Sequence, residues 1–258
     1  MEIKTTDIRG AEFPRHEYNL LKHIPEKFAE AVKTMDGNVM LCGGAVTSVF
    51  TNQRIRDFDL YFSNAHVFGL VLAYMKKRKA EIVVQTDNAI TLRWHGHKWQ
   101  LIRCVFGTAA EIFNSFDFSI CMGAYSLTHN VWTLHKDFLV HNAEKRLVFH
   151  NGTRYPLCSL IRTRKYASRG YTLTGVGYIE IALCVHALRI NTYADLKFHL
   201  QGIDTAFLKP LTDELMKQGE THYDYDKCLH LMDNVLHKYF ENLYHEATDA
   251  EDDAPVEA

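Results

Sequence analysis

One strand near the start of the chain is marked by strict alternation of apolar and polar residues. In the stretch DFDLYF, residues 57–62, every second side chain is a large apolar one, and Asp57 and Asp59 fall between them. A period of two is typical of a β-strand with one apolar and one polar face. The two aspartates therefore lie on the same face of the predicted strand, with their carboxylates a few ångströms apart.

The pattern on either side of this strand predicts a mixture of strands and helices. Apolar residues at helical spacing predict helices over 26–35 and 66–80. A short strand over 38–42 runs into the glycine pair at 43–44, and one or two helical turns follow over 45–53. Residues 89–105 predict a hairpin around His95-Gly96-His97, and the apolar run 115–127 predicts a further strand that contains Asp117.

After Tyr155-Pro156 the pattern becomes helical. Helices are predicted over 157–170, 176–190 and 223–245, the last with an apolar stripe of Leu229, Met232, Leu236, Tyr239 and Leu243. The sequence therefore predicts an α+β protein: a mixed sheet with helices, followed by an all-helical C-terminal part. The expected divisions are an N-terminal segment over 1–34, a head over 35–155, a helical neck over 156–245 and an acidic tail over 246–258.

Composition and charge narrow the class of protein. The 258 residues are 47% hydrophobic, which suits one large or two small globular domains. The formal net charge of −2 becomes +4 when the six acidic residues of the tail are left out, so we expect a mildly basic body and a disordered acidic extension. Such a body permits contact with phosphates without requiring it.

Targeting signals and cysteine usage favour the cytoplasm. The N-terminal stretch lacks the apolar core of a secretory signal, and no apolar run approaches the roughly 20 residues of a transmembrane helix. The six cysteines are scattered without a CxxC pair, as expected for reduced, buried thiols. We therefore expect a cytoplasmic protein without a membrane partner.

The paired acids and the glycine pair suggest chemistry on a phosphate. Two carboxylates on one strand face repel each other unless a cation lies between them, and oxygen donors of this kind suit Mg²⁺ or Mn²⁺. Gly43 and Gly44 have no Cβ, so their backbone N–H groups can approach a phosphate at the start of the following helix. Asp57 and Asp59 are the predicted metal ligands, and the combination points to phosphoryl or nucleotidyl transfer.

Three motifs occur in order along the chain: Gly43-Gly44 with Asp57-Phe58-Asp59, then SFDFSICMGAY at 115–125, then IRTRKYASRGY at 161–171. They resemble motifs of the nucleotidyltransferase superfamily that includes DNA polymerase β, and are most similar to those of the head of class II CCA-adding enzymes and bacterial poly(A) polymerases. In that family two glycines are followed by twelve residues and D-x-D, as Gly43-Gly44 is here by Asp57-Phe58-Asp59. The family's second motif, RRDFTINALAY, resembles SFDFSICMGAY at 115–125. The third, LRAxRFAxxLGF, resembles IRTRKYASRGY at 161–171.

The resemblance implies a nucleotidyltransferase head and neck that transfer a nucleotidyl group from an NTP (ATP or CTP) to an RNA or tRNA 3′ end and release pyrophosphate. It implies Asp57, Asp59 and Asp117 as the catalytic acids. Arg56 adjoins the acids and is expected to neutralise them or to contact phosphate. The nucleotide-binding residues are then expected to be Gly43, Gly44, Thr47, Ser48, Arg56, Arg162 and Lys165.

Departures from the family motifs leave other functions open. Thr47-Ser48 replaces the Arg-Asp that follows the glycine pair in the family, and Ser115-Phe116 replaces the arginine pair that begins the second motif. Gln100 aligns best with the third acid of the family. One alternative is transfer to a protein or small-molecule acceptor. Another is a degenerate, non-catalytic relative that binds a nucleotide or a partner protein.

Overall fold

The computed structural model describes residues 3–200 and nine positions beyond them, namely 213, 224, 226, 227, 229, 230, 232, 233 and 237. The chain divides into two compact units, residues 1–146 and 147–258. The tail predicted at 246–258 and most of the helix predicted at 223–245 lie outside the described residues.

The first unit is built on an eight-stranded mixed sheet. Its strands are β1 (Thr5–Arg9), β2 (Val39–Cys42), β3 (Asp57–Phe62), β4 (Glu81–Gln85), β5 (Ala89–Trp94), β6 (His97–Phe106), β7 (Gly123–Ser126) and β8 (Val131–His135). Their order is β1-β8-β7-β2-β3-β6-β5-β4. Neighbouring strands are antiparallel except for β3 and β6, which are parallel and adjacent near the middle of the sheet.

Six α-helices accompany this sheet within the described part of the first unit. They are α1 (Pro14–Leu21), α2 (Glu26–Lys33), α3 (Gly44–Phe50), α4 (Ala65–Lys77), α5 (Ala109–Phe113) and α6 (Phe138–Ala143). Short 3-10 helices occupy Gly10–Glu12 and Ser119–Cys121, and a two-residue strand β9 spans Arg146–Leu147. The helices predicted over 26–35, 45–53 and 66–80 are confirmed as α2, α3 and α4.

The core lies on the apolar face of β3. Phe58, Leu60 and Phe62 are fully buried and belong to one cluster with Val67 and Val71 of α4. Because side chains alternate along a strand, Asp57 and Asp59 lie on the face opposite to α4. The core therefore fixes which way the two carboxylates point.

The β5–β6 hairpin sets the position of the strand beside β3. His95 and Gly96 form its two-residue turn with positive φ angles of 48° and 77°, the backbone that suits the twist of a tight hairpin. The predicted hairpin is confirmed, with His97 as the first residue of β6 rather than part of the turn.

The strand predicted over 115–127 is wrong in its first half. Only Gly123–Ser126 forms β7, while Ser119–Cys121 is a 3-10 helix, so Asp117 lies in a connecting segment. Phe116, Phe118 and Ile120 alternate with Asp117 and Ser119, which is the pattern of a strand, but residues 116–122 are buried whichever way their side chains point. Local partners support the 3-10 turn: Ser119 Oγ lies 2.7 Å from His141 Nδ1, and Asn142 Nδ2 donates to the carbonyl oxygen of Ile120 at 3.2 Å.

The described part of the second unit is mainly helical. It contains α7 (Pro156–Ala167), α8 (Gly175–His186) and α9 (Tyr193–His199), with a two-residue strand β10 at Thr172–Leu173. The helices predicted over 157–170 and 176–190 are confirmed as α7 and α8. Of the helices in the described part of the chain, none combines the length and apolar character needed to cross a membrane.

Candidate functional site

The candidate site is built around Asp57 and Asp59 on β3, in the middle of the sheet. Both side chains are partly buried, and Asp57 retains 33% of its side-chain exposure. Strand alternation places the two carboxylates side by side on the polar face, as the sequence predicts. This face can present oxygen ligands to one divalent cation.

The turn between β2 and α3 approaches the carboxylates. Gly43 has a positive φ of 74°, and a Cβ added there would lie 4.0 Å from Asp59 Oδ2. Gly44 is the first residue of α3, and a Cβ added there would meet nothing within 4 Å. The N–H of Gly43 donates to the carbonyl oxygen of Gly123 at 3.0 Å, so the predicted phosphate contact depends on the open side of Gly44.

The strand beside β3 places an amide and an ammonium next to the acids. In the parallel register of β3 and β6, Asp59 is opposite Gln100 and Asp57 is opposite Lys98. Gln100 is buried, and its Nε2 donates to Asp57 Oδ2 at 3.5 Å. Lys98 Nζ lies 3.7 Å from the same carboxylate oxygen. Gln100 stands where the resemblance expects a third acid, and it contributes an N–H donor to Asp57 instead of a carboxylate.

On the other side of β3, a thiol faces Asp59. Cys42 of β2 pairs with Asp59 in the antiparallel register and is fully buried. Burial, and secondarily the charge of Asp59, raise the pKa of the Cys42 thiol well above its usual range. Cys42 therefore stays a neutral thiol beside the acids.

Asp117 does not join the two strand acids in a metal-binding group. Its side chain is buried in the segment that precedes the 3-10 helix Ser119–Cys121. Among the described residues, no set of three or more His, Cys, Asp or Glu side chains is arranged to hold a metal ion. The donors present are thus two carboxylates, which suit one hard cation such as Mg²⁺ or Mn²⁺ but fall short of a three-acid set. A catalytic role of Asp117 stays a prediction.

Phe116 takes a place next to the glycine turn where the resemblance expects an arginine. Its ring lies 3.8 Å from the position of a Cβ on Gly43, and its centroid is 5.7 Å from that of Tyr61. This side of the site is therefore aromatic rather than cationic.

The predicted nucleotide ligands after the glycine pair differ in their surroundings. Thr47 is buried, and its hydroxyl lies 2.8 Å from the carbonyl oxygen of Ile120 and 3.2 Å from that of Gly43. These contacts hold the turn itself. Ser48 is partly buried, and Arg56 is exposed in the segment that leads into β3. Their contacts with a nucleotide stay predictions.

The two predicted basic ligands of the third motif lie on α7, in the second unit. Arg162 Nη2 donates to Tyr166 Oη at 2.9 Å, and its guanidinium lies 5.6 Å from the centre of the same ring. Lys165 is partly buried one turn along the helix. Their role in binding phosphate also stays a prediction.

Lys98 is the residue of the site that sequence reasoning missed. The signal was present, because K-x-Q at 98–100 has the same spacing as D-x-D at 57–59. When β6 runs parallel to β3 and Gln100 pairs with Asp59, Lys98, two residues earlier, must pair with Asp57.

Solved structures of similar shape are tRNA-processing enzymes. A Thermotoga maritima CCA-adding enzyme in complex with tRNA matches with a TM-score of 0.54 and 14% identity, over 91% of this chain and 55% of that one. A CCA-adding enzyme in an apo form matches with a TM-score of 0.56 and 13% identity, over 85% and 57%. A tRNA nucleotidyltransferase with a primer tRNA and an ATP analogue matches with a TM-score of 0.51 and 15% identity, over 84% and 66%. At this identity the likeness shows the fold, which is that of the nucleotidyltransferases.

The sequence comparisons add a family that the motifs did not indicate. The family model for Gabija anti-defense 2 proteins matches residues 15–145. The protein named Gabija anti-defense 2 from Bacillus phage SPbetaL7 is 36% identical over 185 residues, which is 71% of this chain. The match covers 46% of that protein, so the chain spans about half the length of this relative. The matched region contains the whole carboxylate site, and the chain belongs to the Gabija anti-defense 2 family.

Proposed function

We propose that this chain is a metal-dependent nucleotidyltransferase that uses an NTP, ATP or CTP, as donor. The observation that carries the proposal is the pairing of Asp57 and Asp59 on one strand face with the glycine turn beside Asp59. The nucleotidyltransferase fold, which the structural neighbours share, supports this proposal.

The residues of the site support a simple division of roles. Asp57 and Asp59 would hold Mg²⁺ or Mn²⁺, which when bound neutralises charge on the triphosphate and lowers the pKa of an attacking hydroxyl. The open side of Gly44 leaves room for phosphate oxygens to approach the backbone. The acceptor oxygen would form a bond to the α-phosphorus, the bond from that phosphorus to the oxygen that bridges to the β-phosphorus would break, pyrophosphate would leave, and the hydroxyl proton would pass to solvent.

The acceptor is proposed from the family rather than from the site. The relative's name places it against the Gabija defence, so we propose that the acceptor is a component of that system, either a protein or a nucleic acid. An RNA or tRNA 3′ end is the acceptor that the structural neighbours suggest, since two of them were solved with tRNA. Both reactions would take place in the cytoplasm.

One observation favours a second function, that of a non-catalytic nucleotide-binding protein. Gln100 lies where the resemblance expects the third acid, and Lys98 contacts Asp57. A site that binds the triphosphate without activating an acceptor would still compete for NTP or dock on a partner.

Labelled nucleotides distinguish these functions. Purified protein is incubated with α-³²P-NTPs and Mg²⁺ or Mn²⁺, with total RNA in one series and with purified Gabija proteins in another. Label on RNA or on protein identifies the acceptor and supports transfer. NTP binding in calorimetry without label on any macromolecule would support the second function instead.

A further inference from the structure

We infer that the site holds one divalent ion, bound together with the triphosphate, and that Lys98 supplies the permanent positive charge where a two-metal site would hold its second ion. The inference deepens the proposed function, because the ion is the one that accompanies the nucleotide. It concerns the composition of the site and does not depend on which acceptor is used.

Strand register puts Lys98 and Gln100 in direct contact with the acids. β6 is the parallel neighbour of β3, and the pairs Asp57–Lys98 and Asp59–Gln100 are successive matches along the same face. The turn at His95-Gly96 and the buried Trp99 between the two residues fix this register. A shift by one residue would turn Trp99 out of the core, so the two donors are held beside the acids.

Both donors converge on one carboxylate oxygen. Asp57 Oδ2 receives Gln100 Nε2 at 3.5 Å and lies 3.7 Å from Lys98 Nζ. An oxygen that faces two N–H groups is a poor ligand for an added cation, and an ammonium repels a divalent ion at the same oxygen. A third carboxylate would attract that ion, but Gln100 offers only a neutral amide.

Two carboxylates are sufficient for one ion if the nucleotide contributes further ligands. Asp57 and Asp59 both lie on the polar face of β3, and a triphosphate brings its own oxygens. The Lys98 side chain is 45% exposed, so its ammonium can also face a bound phosphate while staying beside Asp57. The geometry thus favours one ion plus a lysine over two ions.

The test counts Mn²⁺ ions per chain by electron paramagnetic resonance, with α,β-methylene-ATP as a nucleotide that cannot undergo transfer. Wild-type protein should bind one ion per chain with the analogue. The double variant Lys98→Met, Gln100→Glu should bind two, because it replaces the cation and restores a third acid. The control double variant Lys77→Met, Gln85→Glu changes exposed residues on α4 and β4 by the same charge and should leave the count at one.

A single variant covers the case in which the double variant does not fold. Lys98→Met alone should raise the affinity for Mn²⁺ without nucleotide roughly tenfold, since it removes a positive charge a few ångströms from the ion. An unchanged affinity, two ions in the wild type, or one ion in a folded double variant would each overturn the inference. One ion per chain without any transfer of label would support the inference about the ion and contradict the proposed reaction. Two ions per chain with transfer of label would support the proposed reaction and contradict the inference about the ion.

Discussion

At the residue scale, the glycine turn shows how two adjacent glycines differ. Gly43 has a positive φ and lies against Asp59 and Phe116, whereas Gly44 starts α3 with open space around its Cβ position. A side chain at Gly43 would strain the backbone, while a side chain at Gly44 would enter the space proposed for the triphosphate. Of the two glycines, only Gly44 can therefore be substituted to test nucleotide binding without straining the backbone.

Gly44→Val is expected to weaken NTP binding while leaving the melting temperature nearly unchanged. The β-carbon and its methyl groups would occupy the open space at the start of α3, where we propose that the triphosphate approaches the backbone. Isothermal titration calorimetry with α,β-methylene-ATP measures the effect. Gly175→Val is the matched control, because Gly175 likewise starts a helix with open space around its Cβ position. NTP affinity equal to that of the wild type in a folded Gly44→Val protein would remove the phosphate-binding role of the turn.

One buried histidine and three partly buried ones make stability depend on pH. Burial lowers the pKa of His16, His23, His141 and His199 below the ordinary value of 6.5. Between the lowered values and 6.5 the unfolded chain binds more protons than the folded chain, so the free energy of unfolding rises with pH in this window. The contribution of these histidines to stability is therefore fully present above about pH 7 and decreases as the pH falls below 6.5.

Urea unfolding at pH 7.5 and pH 5.5 checks this dependence. The midpoint is expected to fall at the lower pH, and His141→Gln should reduce the difference between the two midpoints, because burial lowers the pKa of His141. A wild-type midpoint that rises at pH 5.5 would show that other groups dominate the titration.

At the element scale, the strands with clear alternation were predictable and the buried connection was not. The alternation in β3 and the paired strands around His95-Gly96 identify both strands of the site from sequence. In the segment that contains Asp117, polar residues alternate with Phe116, Phe118 and Ile120, so its 3-10 turn has the same pattern as a strand. β1 was also missed, because Ile8 is the one large apolar residue among its five positions.

The hairpin turn is expected to depend on its glycine. Gly96 has a φ of 77°, so Gly96→Ala should cost about 1–2 kcal/mol in free energy of unfolding. Gly69→Ala, within α4 and with open space around its Cβ position, should instead stabilise the protein by about 0.5–1 kcal/mol. Urea denaturation of the two variants measures both values. Equal effects of the two substitutions would contradict the assignment of the turn.

At the scale of the whole molecule, the sequence motifs predicted the fold but not the family of the protein or the full composition of its site. The D-x-D spacing led to the nucleotidyltransferase fold, which the structural neighbours share at 13–15% identity. The position of Lys98 depends on pairing between strands that are distant in sequence, and the anti-defence family becomes visible only through a relative. Local patterns predict single elements, whereas the composition of the site depends on their register.

Removal of residues 247–258 is expected to leave both folding and chemistry intact. The acidic tail contains one large apolar residue, Val256, and cannot bury a substantial apolar surface. The melting temperature of the truncated chain should agree with that of the full chain within error. A decrease of several degrees would show that the tail docks on the basic body.

The most direct test of the proposed function is nucleotidyl transfer by the wild type and by two charge-neutral variants of its acids. Transfer of label from α-³²P-NTP, in Mn²⁺ and with the acceptors named above, is compared for wild type, Asp57→Asn, Asp59→Asn and the exposed control Asp36→Asn. The wild type and the control should transfer label equally. Asp57→Asn and Asp59→Asn should each lose roughly 100-fold or more while keeping their fold. Wild-type transfer by either variant, or no transfer by the wild type with any acceptor, would contradict a metal-dependent reaction at these two carboxylates.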